Sequence, residues 1–223
     1  MKCFDKIVLL VTIFTISANT LVFAQDSFKL IHFDTEDGGK IEAAYFNAKK
    51  NSIVIFTHGA IFNKKSWYFL AQDFQEKGVS VLSIDFRGYG NSVAGTTNKK
   101  LYDILGAISY AKKQGFNNIT IVGASMGGAA VLQALSFKQT TINKVILLAP
   151  AGGSPITSNE IDKLFVVSKE EGLYKRVHHI YTESESPKQL KEYSGKAHAQ
   201  HLFKTGYANA LIKQIIDFVV SPE

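Results

Sequence analysis

Apolar positions along this chain switch repeatedly between two periods. Ser52–Thr57 (SIVIFT) is a continuous β-branched and aromatic run, the pattern of a strand buried on both faces. Ser66–Lys77 then sets Trp67, Leu70, Ala71 and Phe74 on one side of a helix that Gly78 closes. Val79–Phe86 predicts the next strand, and Lys100–Gln114 a helix with Leu101, Ile104, Leu105 and Ile108 on one face. Asn118–Val122 is a strand and Met126–Phe137 a helix. Lys144–Ala149, stopped by Pro150, and Asp162–Val167 are strands. Leu173–Thr182 predicts a helix, Gln189–Tyr193 a short strand, and His198–Val220 a final helix, clearest from Ala208 onward. Ahead of all these, Phe28–Phe33 and Lys40–Phe46 flank the turn signal Asp37-Gly38-Gly39 and predict an antiparallel hairpin. Strands alternating with helices predict an α/β fold whose mostly parallel twisted sheet carries helices on both faces. Ligands of such sheets bind beyond the carboxyl ends of the strands. The loops after Thr57, Phe86, Val122, Ala149, Val167 and Tyr193 therefore matter most.

Residues 1–24 follow a different pattern. Lys2 and Lys6 precede the apolar run Ile7–Ile16, and Val22-Phe23-Ala24 offers a cleavage site before Gln25. The run is short for a bilayer core of about 30 Å. The expectation is a cleaved secretory signal peptide, a single domain over 25–223, and a secreted or periplasmic destination without a stable membrane span. A retained anchor is the rival. Removing residues 1–24 takes the only cysteine with it and lowers the net charge from +6 to +5. An exported chain without cysteine has no disulfide and relies on its core. The lysines stand singly or in pairs, with no dense basic run interleaved with aromatics, so nucleic acid is excluded as the expected partner. No His/Cys/Asp cluster has metal-ligand spacing, so neither metal nor cofactor is expected.

The loop after Val122 reads Gly123-Ala-Ser-Met-Gly127, a G-x-S-x-G between a predicted strand and a predicted helix. A serine on so sharp a turn is pushed outward, and glycines two residues away on either side let neighbouring backbone pass close. The helix that begins there aims free N–H groups at the same point, which favours developing negative charge. Outside this context the motif is only a glycine-rich turn. The loop after Thr57 begins His58-Gly59-Ala60-Ile61.

Together, His58-Gly59, Asp85-Phe-Arg-Gly-Tyr-Gly-Asn-Ser92 and Gly123-Ala-Ser-Met-Gly127 stand in an order and at a spacing that resemble the α/β-hydrolase superfamily, across roughly Phe28 to Val220. The resemblance implies a serine hydrolase with its triad in the order Ser, acid, His. Ser125 becomes the nucleophile. The oxyanion hole is assigned to the N–H groups of Ala60, with Ile61 as the fallback, and Met126. His58 is a loop-ordering residue rather than a base, and Asp85 and Arg87 belong to a structural turn. The base is expected after the last strand, in Tyr193-Ser-Gly-Lys-Ala-His198. His198 is preferred to His201, and His178 and His179 fall on a surface helix before that strand. The acid is expected after Val167, where Lys169-Glu170-Glu171-Gly172 offers two carboxylates. The family usually has aspartate here. Glu171 is preferred to Glu170, and Asp162 lies at the wrong end of its strand.

The gap that houses a helical cap in many members holds only Pro150–Ile161. An uncapped, open site is expected, with Phe62, Tyr89 and residues 150–156 near its rim. The implied substrates are small-molecule or lipid-like esters or thioesters. A peptidase of the same fold and a non-catalytic secreted binding protein are the alternatives, the latter motivated by the irregular Glu170-Glu171 pair.

Overall fold

The computed structural model describes residues 28–221. The leader reading of residues 1–24 lies outside them. In chain order the elements are β1 (Lys29–Asp34), β2 (Lys40–Phe46), β3 (Ser52–Thr57), α1 (Tyr68–Glu76), β4 (Ser80–Ile84), α2 (Leu101–Lys113), β5 (Asn118–Ala124), α3 (Met126–Phe137), β6 (Lys144–Leu148), β7 (Asp162–Ser168), α4 (Tyr174–Glu183), β8 (Lys188–Tyr193) and α5 (Ala208–Val220). The eight strands form one sheet in the order β1-β2-β4-β3-β5-β6-β7-β8. β2 runs antiparallel to β1 and β4, and the other neighbouring pairs are parallel. This is the expected sheet with its N-terminal hairpin.

Two cores form because alternate residues of the central strands face opposite ways. Ile53 and Ile55 of β3, Val145 and Leu147 of β6 and Phe165 of β7 pack with Ile104, Ala107, Val131 and Val177 of α2, α3 and α4. Val54 and Phe56, Ile146 and Leu148, and Leu164 and Val166 pack on the other face with Leu70 and Phe74 of α1 and Leu211 and Ile215 of α5. Burial on both faces explains why these strands read as unbroken apolar runs. The amino end of β6 also anchors α5. The nearly buried Lys144 donates through Nζ to the carbonyls of Phe218 (3.0 Å) and Ser221 (2.8 Å), where the helix leaves acceptors unsatisfied.

The chain leaves β3 for β4 on one side and returns to β5 on the other. The carboxyl ends of β3 and β5 are therefore adjacent, with Thr57 paired to Gly123. That reversal brings the His58 loop and the Ser125 loop side by side, at the kind of switch point where open sheets bind ligands.

One expected element is divided. His198–Val220 is not a continuous helix: Ala199–Lys204 forms a 3₁₀ segment and α5 begins at Ala208. Ala199 has φ of 48°, and Thr205 is extended. This break keeps His198 out of helical geometry.

Candidate active site

Ser125 sits between β5 and α3 with φ 49° and ψ −110°. A non-glycine residue there carries strain on the order of 1–3 kcal/mol and persists only where its surroundings hold it. Three backbone bonds do so. The Ser125 N–H donates to the Leu148 carbonyl (2.9 Å), and the Ser125 carbonyl accepts from Ala129 and Ala151 N–H, both at 3.0 Å. The flanking glycines are required by close approach. A Cβ on Gly123 would lie 2.8 Å from Gly128 Cα, and one on Gly127 would lie 2.5 Å from the Thr57 carbonyl oxygen. The motif thus packs the start of α3 directly on β3 and leaves the serine side chain outside, partly exposed.

Ser125 Oγ lies 2.8 Å from His198 Nε2, and His198 Nδ1 is hydrogen-bonded to Glu171 Oε2. The Glu171 side chain is only 3% exposed, and its other oxygen accepts from the Ser168 N–H (3.1 Å). Both loops that supply this pair are zipped together. The Lys169 N–H donates to the Tyr193 carbonyl (2.8 Å), and the Glu170 N–H donates to the Gly195 carbonyl (3.0 Å). Ser168 Oγ donates to the Ala197 carbonyl (2.6 Å), one residue before His198. Glu170 points its carboxylate at the Gly195 N–H (3.2 Å), so it clamps the turn and Glu171 alone faces the imidazole. The His201 ring packs instead against Phe62, with centroids 5.3 Å apart. His178, on α4, is bonded to Glu192 (3.0 Å). Asp162 opens β7, at the amino end of the strand and away from the acid loop that follows Ser168.

Across the crevice, His58 is fully buried. Its Nδ1 lies 2.9 Å from the Gly59 carbonyl, and its Nε2 lies 3.2 Å from the Phe86 nitrogen. The Phe86 N–H can only donate, so Nε2 is the unprotonated nitrogen and Nδ1–H donates to Gly59. Burial pushes the His58 pKa below its ordinary value. The unfolded chain, with a histidine pKa near 6.5, then takes up the proton first. The stability that neutral His58 contributes is complete above about pH 6.5 and is lost as pH falls toward the lower folded-state pKa. In urea unfolding, wild type should therefore lose more stability between pH 7.5 and 5 than His58→Gln, which takes up no proton there. Parallel curves for the two proteins would count against this account.

Ala60 follows Gly59, and Tyr89 donates from its hydroxyl to the Ala60 carbonyl (2.9 Å) while standing 3.7 Å from Met126 Sδ. Met126 is the first residue of α3, so its N–H is one of four without an intrahelical acceptor. Asp85 and Arg87, expected in a structural turn, are held in buried polar contacts. Asp85 binds the Lys64 N–H (2.7 Å) and Lys64 Nζ (2.5 Å). Arg87 joins Asp37 (2.6 Å) to Asp103 (2.7 Å), and its hydrogen bond holds the Asp37 carboxyl far below the usual range. Two residues had not been singled out. Ser168 is a junction of the acid and base loops, and Gln200 is buried two positions beyond His198.

A recess of about 1080 Å³ lies elsewhere, lined by Asn117, Asn143, Ile161 and His179 among others. It adjoins the amino ends of β5, β6 and β7, away from Ser125 and His198. Only residues 149–161 connect β6 to β7, so among the described residues no lid domain is inserted there.

A family model described as alpha/beta hydrolase fold matches residues 52–180. The chain is 31% identical over 154 residues to the Mycoplasma pneumoniae protein named "Putative esterase/lipase 3", an alignment covering 64% of this chain and 53% of that one. It is 28% identical over 102 residues to the "AB hydrolase superfamily protein YisY" of Bacillus subtilis, covering 44% and 37%. The chain thus spans about half, or less, of the length of these curated relatives. Among solved structures, an esterase from Exiguobacterium antarcticum superposes with a TM-score of 0.69 at 15% identity, covering 85% of this chain and 99% of that one.

Proposed function

The chain belongs to the alpha/beta hydrolase fold family, and from that premise we propose that it hydrolyses carboxylic esters or thioesters through an acyl-enzyme on Ser125. The observation that carries this reading is the continuous relay from Ser125 Oγ to His198 Nε2 (2.8 Å) and from His198 Nδ1 to buried Glu171. The esterase/lipase name of a relative supports ester hydrolysis in general. His198 Nε2 takes the hydroxyl proton as Ser125 Oγ attacks the carbonyl carbon, and Glu171 stabilises the imidazolium that forms. The carbonyl oxygen gains the negative charge and is met by the N–H groups of Ala60 and Met126. Collapse of the tetrahedral intermediate expels the alcohol or thiol, which receives the proton from His198. Water then attacks the acyl-serine with His198 again as base, releasing the acid and restoring Ser125.

The short β6–β7 connection favours substrates whose acyl or alcohol part projects into solvent along Ile61, Phe62 and Tyr89. Ile61 is 78% exposed beside Ala60, a ready apolar contact for such a group. A fluorophosphonate probe with peptide mapping tests the assignment. The expected adduct is on Ser125, with turnover of short p-nitrophenyl esters by the same sample. A folded protein that neither labels at Ser125 nor turns over any ester in a broad panel is a binding protein on this scaffold. Export rests on residues 1–24, and material recovered outside the cytoplasm should begin at Gln25 by intact mass.

A further inference from the structure

The loop carrying Ala60 is fixed by a residue from the far end of the chain. Gln200 is 4% exposed. Its Oε1 accepts from the Gly59 N–H (2.8 Å), and its Nε2 donates to Ser66 Oγ (2.8 Å). Ser66 Oγ in turn donates to the Asn63 carbonyl (2.6 Å). The amide can take only this orientation, because the Gly59 N–H needs an oxygen. Gly59 also stands close to the nucleophile. A Cβ placed on it would lie 3.6 Å from Ser125 Cβ and 3.4 Å from Gln200 Oε1.

The next peptide is constrained from its carbonyl end. The Gly59 carbonyl accepts from His58 Nδ1–H (2.9 Å) and from the Phe62 N–H (3.0 Å). In a planar trans peptide the Ala60 N–H points opposite to that carbonyl. Bonds on the N–H and on the carbonyl of Gly59 together leave the Ala60 N–H one direction. Ala199, between Gln200 and the base, is held at φ 48°. Gln200 thus stands two residues from His198 in the same loop.

We infer that Gln200 is a positioning residue for the oxyanion hole, a strap through which the His198 loop sets the direction of the Ala60 N–H. This rests on the serine-esterase reading and adds a specific consequence. Donors of an oxyanion hole act only when they meet the place the charge will occupy, and losing one costs about 10²–10³ in kcat. A misdirected donor costs less, on the order of 10–100-fold. The loss falls on kcat rather than KM, because the ground-state carbonyl depends on the donor far less than the oxyanion does.

The test compares wild type, Ser125→Ala, Gln200→Met and Ser66→Ala in ester turnover, thermal unfolding and binding of an alkyl boronic acid, whose tetrahedral adduct imitates the intermediate. Gln200→Met keeps length and bulk but removes the acceptor for Gly59. It should lower kcat by about 10–100-fold with KM within about threefold, and weaken boronate binding by a similar factor. Ser66→Ala removes the partner of Gln200 Nε2 but leaves Oε1 on the Gly59 N–H, and should keep kcat and boronate binding within about threefold of wild type, which separates the Gly59 bond from general disturbance of this hydrogen-bonded chain. Gln200→Met equal to wild type within twofold overturns the inference while leaving the esterase standing. So does a Ser66→Ala protein as impaired as a folded Gln200→Met, or a loss confined to KM. Wild-type protein no more active than Ser125→Ala overturns both readings together.

Discussion

Ser125→Ala is expected to lower kcat for ester hydrolysis by about 10⁵–10⁶-fold while the protein stays folded. The size follows from the arrangement, since the residue bonded to His198 Nε2 is Ser125 and among the described residues no second hydroxyl or thiol is bonded there. On the proposed assignment, without the hydroxyl the imidazole can only activate water, and only the N–H groups of Ala60 and Met126 still act on the carbonyl. Residues working as a unit do not add. His198→Ala should therefore cost about as much, and the double variant little more than either. Stability should move little, because the three backbone bonds that fix the turn involve the Ser125 N–H and carbonyl and not its side chain. Ser125→Gly should be the more stable of the two alanine-or-glycine variants, since glycine reaches φ 49° without the strain. Turnover of a p-nitrophenyl ester alongside thermal melts checks both statements. A Ser125→Ala protein keeping more than about a hundredth of wild-type kcat would assign the chemistry to another group.

Much of this was readable from residue order alone, and the boundary between legible and illegible has physical causes. Central strands such as Ser52–Thr57 announce themselves because both faces are buried, and α3 begins and ends at Met126 and Phe137 as its pattern predicts. The Gly-x-Ser-x-Gly stretch is legible because its glycines answer to steric contacts at fixed spacing, Gly123 against Gly128 and Gly127 against Thr57. The break between His198 and Ala208 is not. Leu202 and Leu211 pack into the same core, so the apolar pattern runs straight through it. The interruption comes from φ 48° at Ala199, a backbone state that alanine does not advertise. Gln200 is equally silent, since its partner Gly59 lies 141 positions earlier. The choice between two adjacent glutamates turns on which carboxylate reaches back to the Ser168 N–H, a matter of turn geometry and not of composition.

That choice carries the second large effect. Glu171→Gln should lower kcat by about 10³–10⁴-fold, and Glu170→Gln by less than about tenfold. The reason lies in what the far side of Glu171 touches. Its Oε1 accepts from the Ser168 N–H, a donor that cannot become an acceptor. A glutamine at 171 must keep its oxygen on that N–H, which turns its NH₂ toward His198 Nδ1. Nδ1 must then accept, so the ring proton moves to Nε2, the nitrogen facing Ser125 Oγ. The lone pair that should take the serine proton is gone, although the side chains have scarcely moved. Raising the pH does not restore it, because the fault is in the tautomer and not in the net charge of the ring. Glu170→Gln keeps an oxygen for the Gly195 N–H and leaves the relay untouched. Turnover of the two variants side by side decides the matter, with fluorophosphonate labelling rates as a second reading of Ser125 reactivity. Equal losses, or a loss confined to Glu170→Gln, would move the acid away from Glu171.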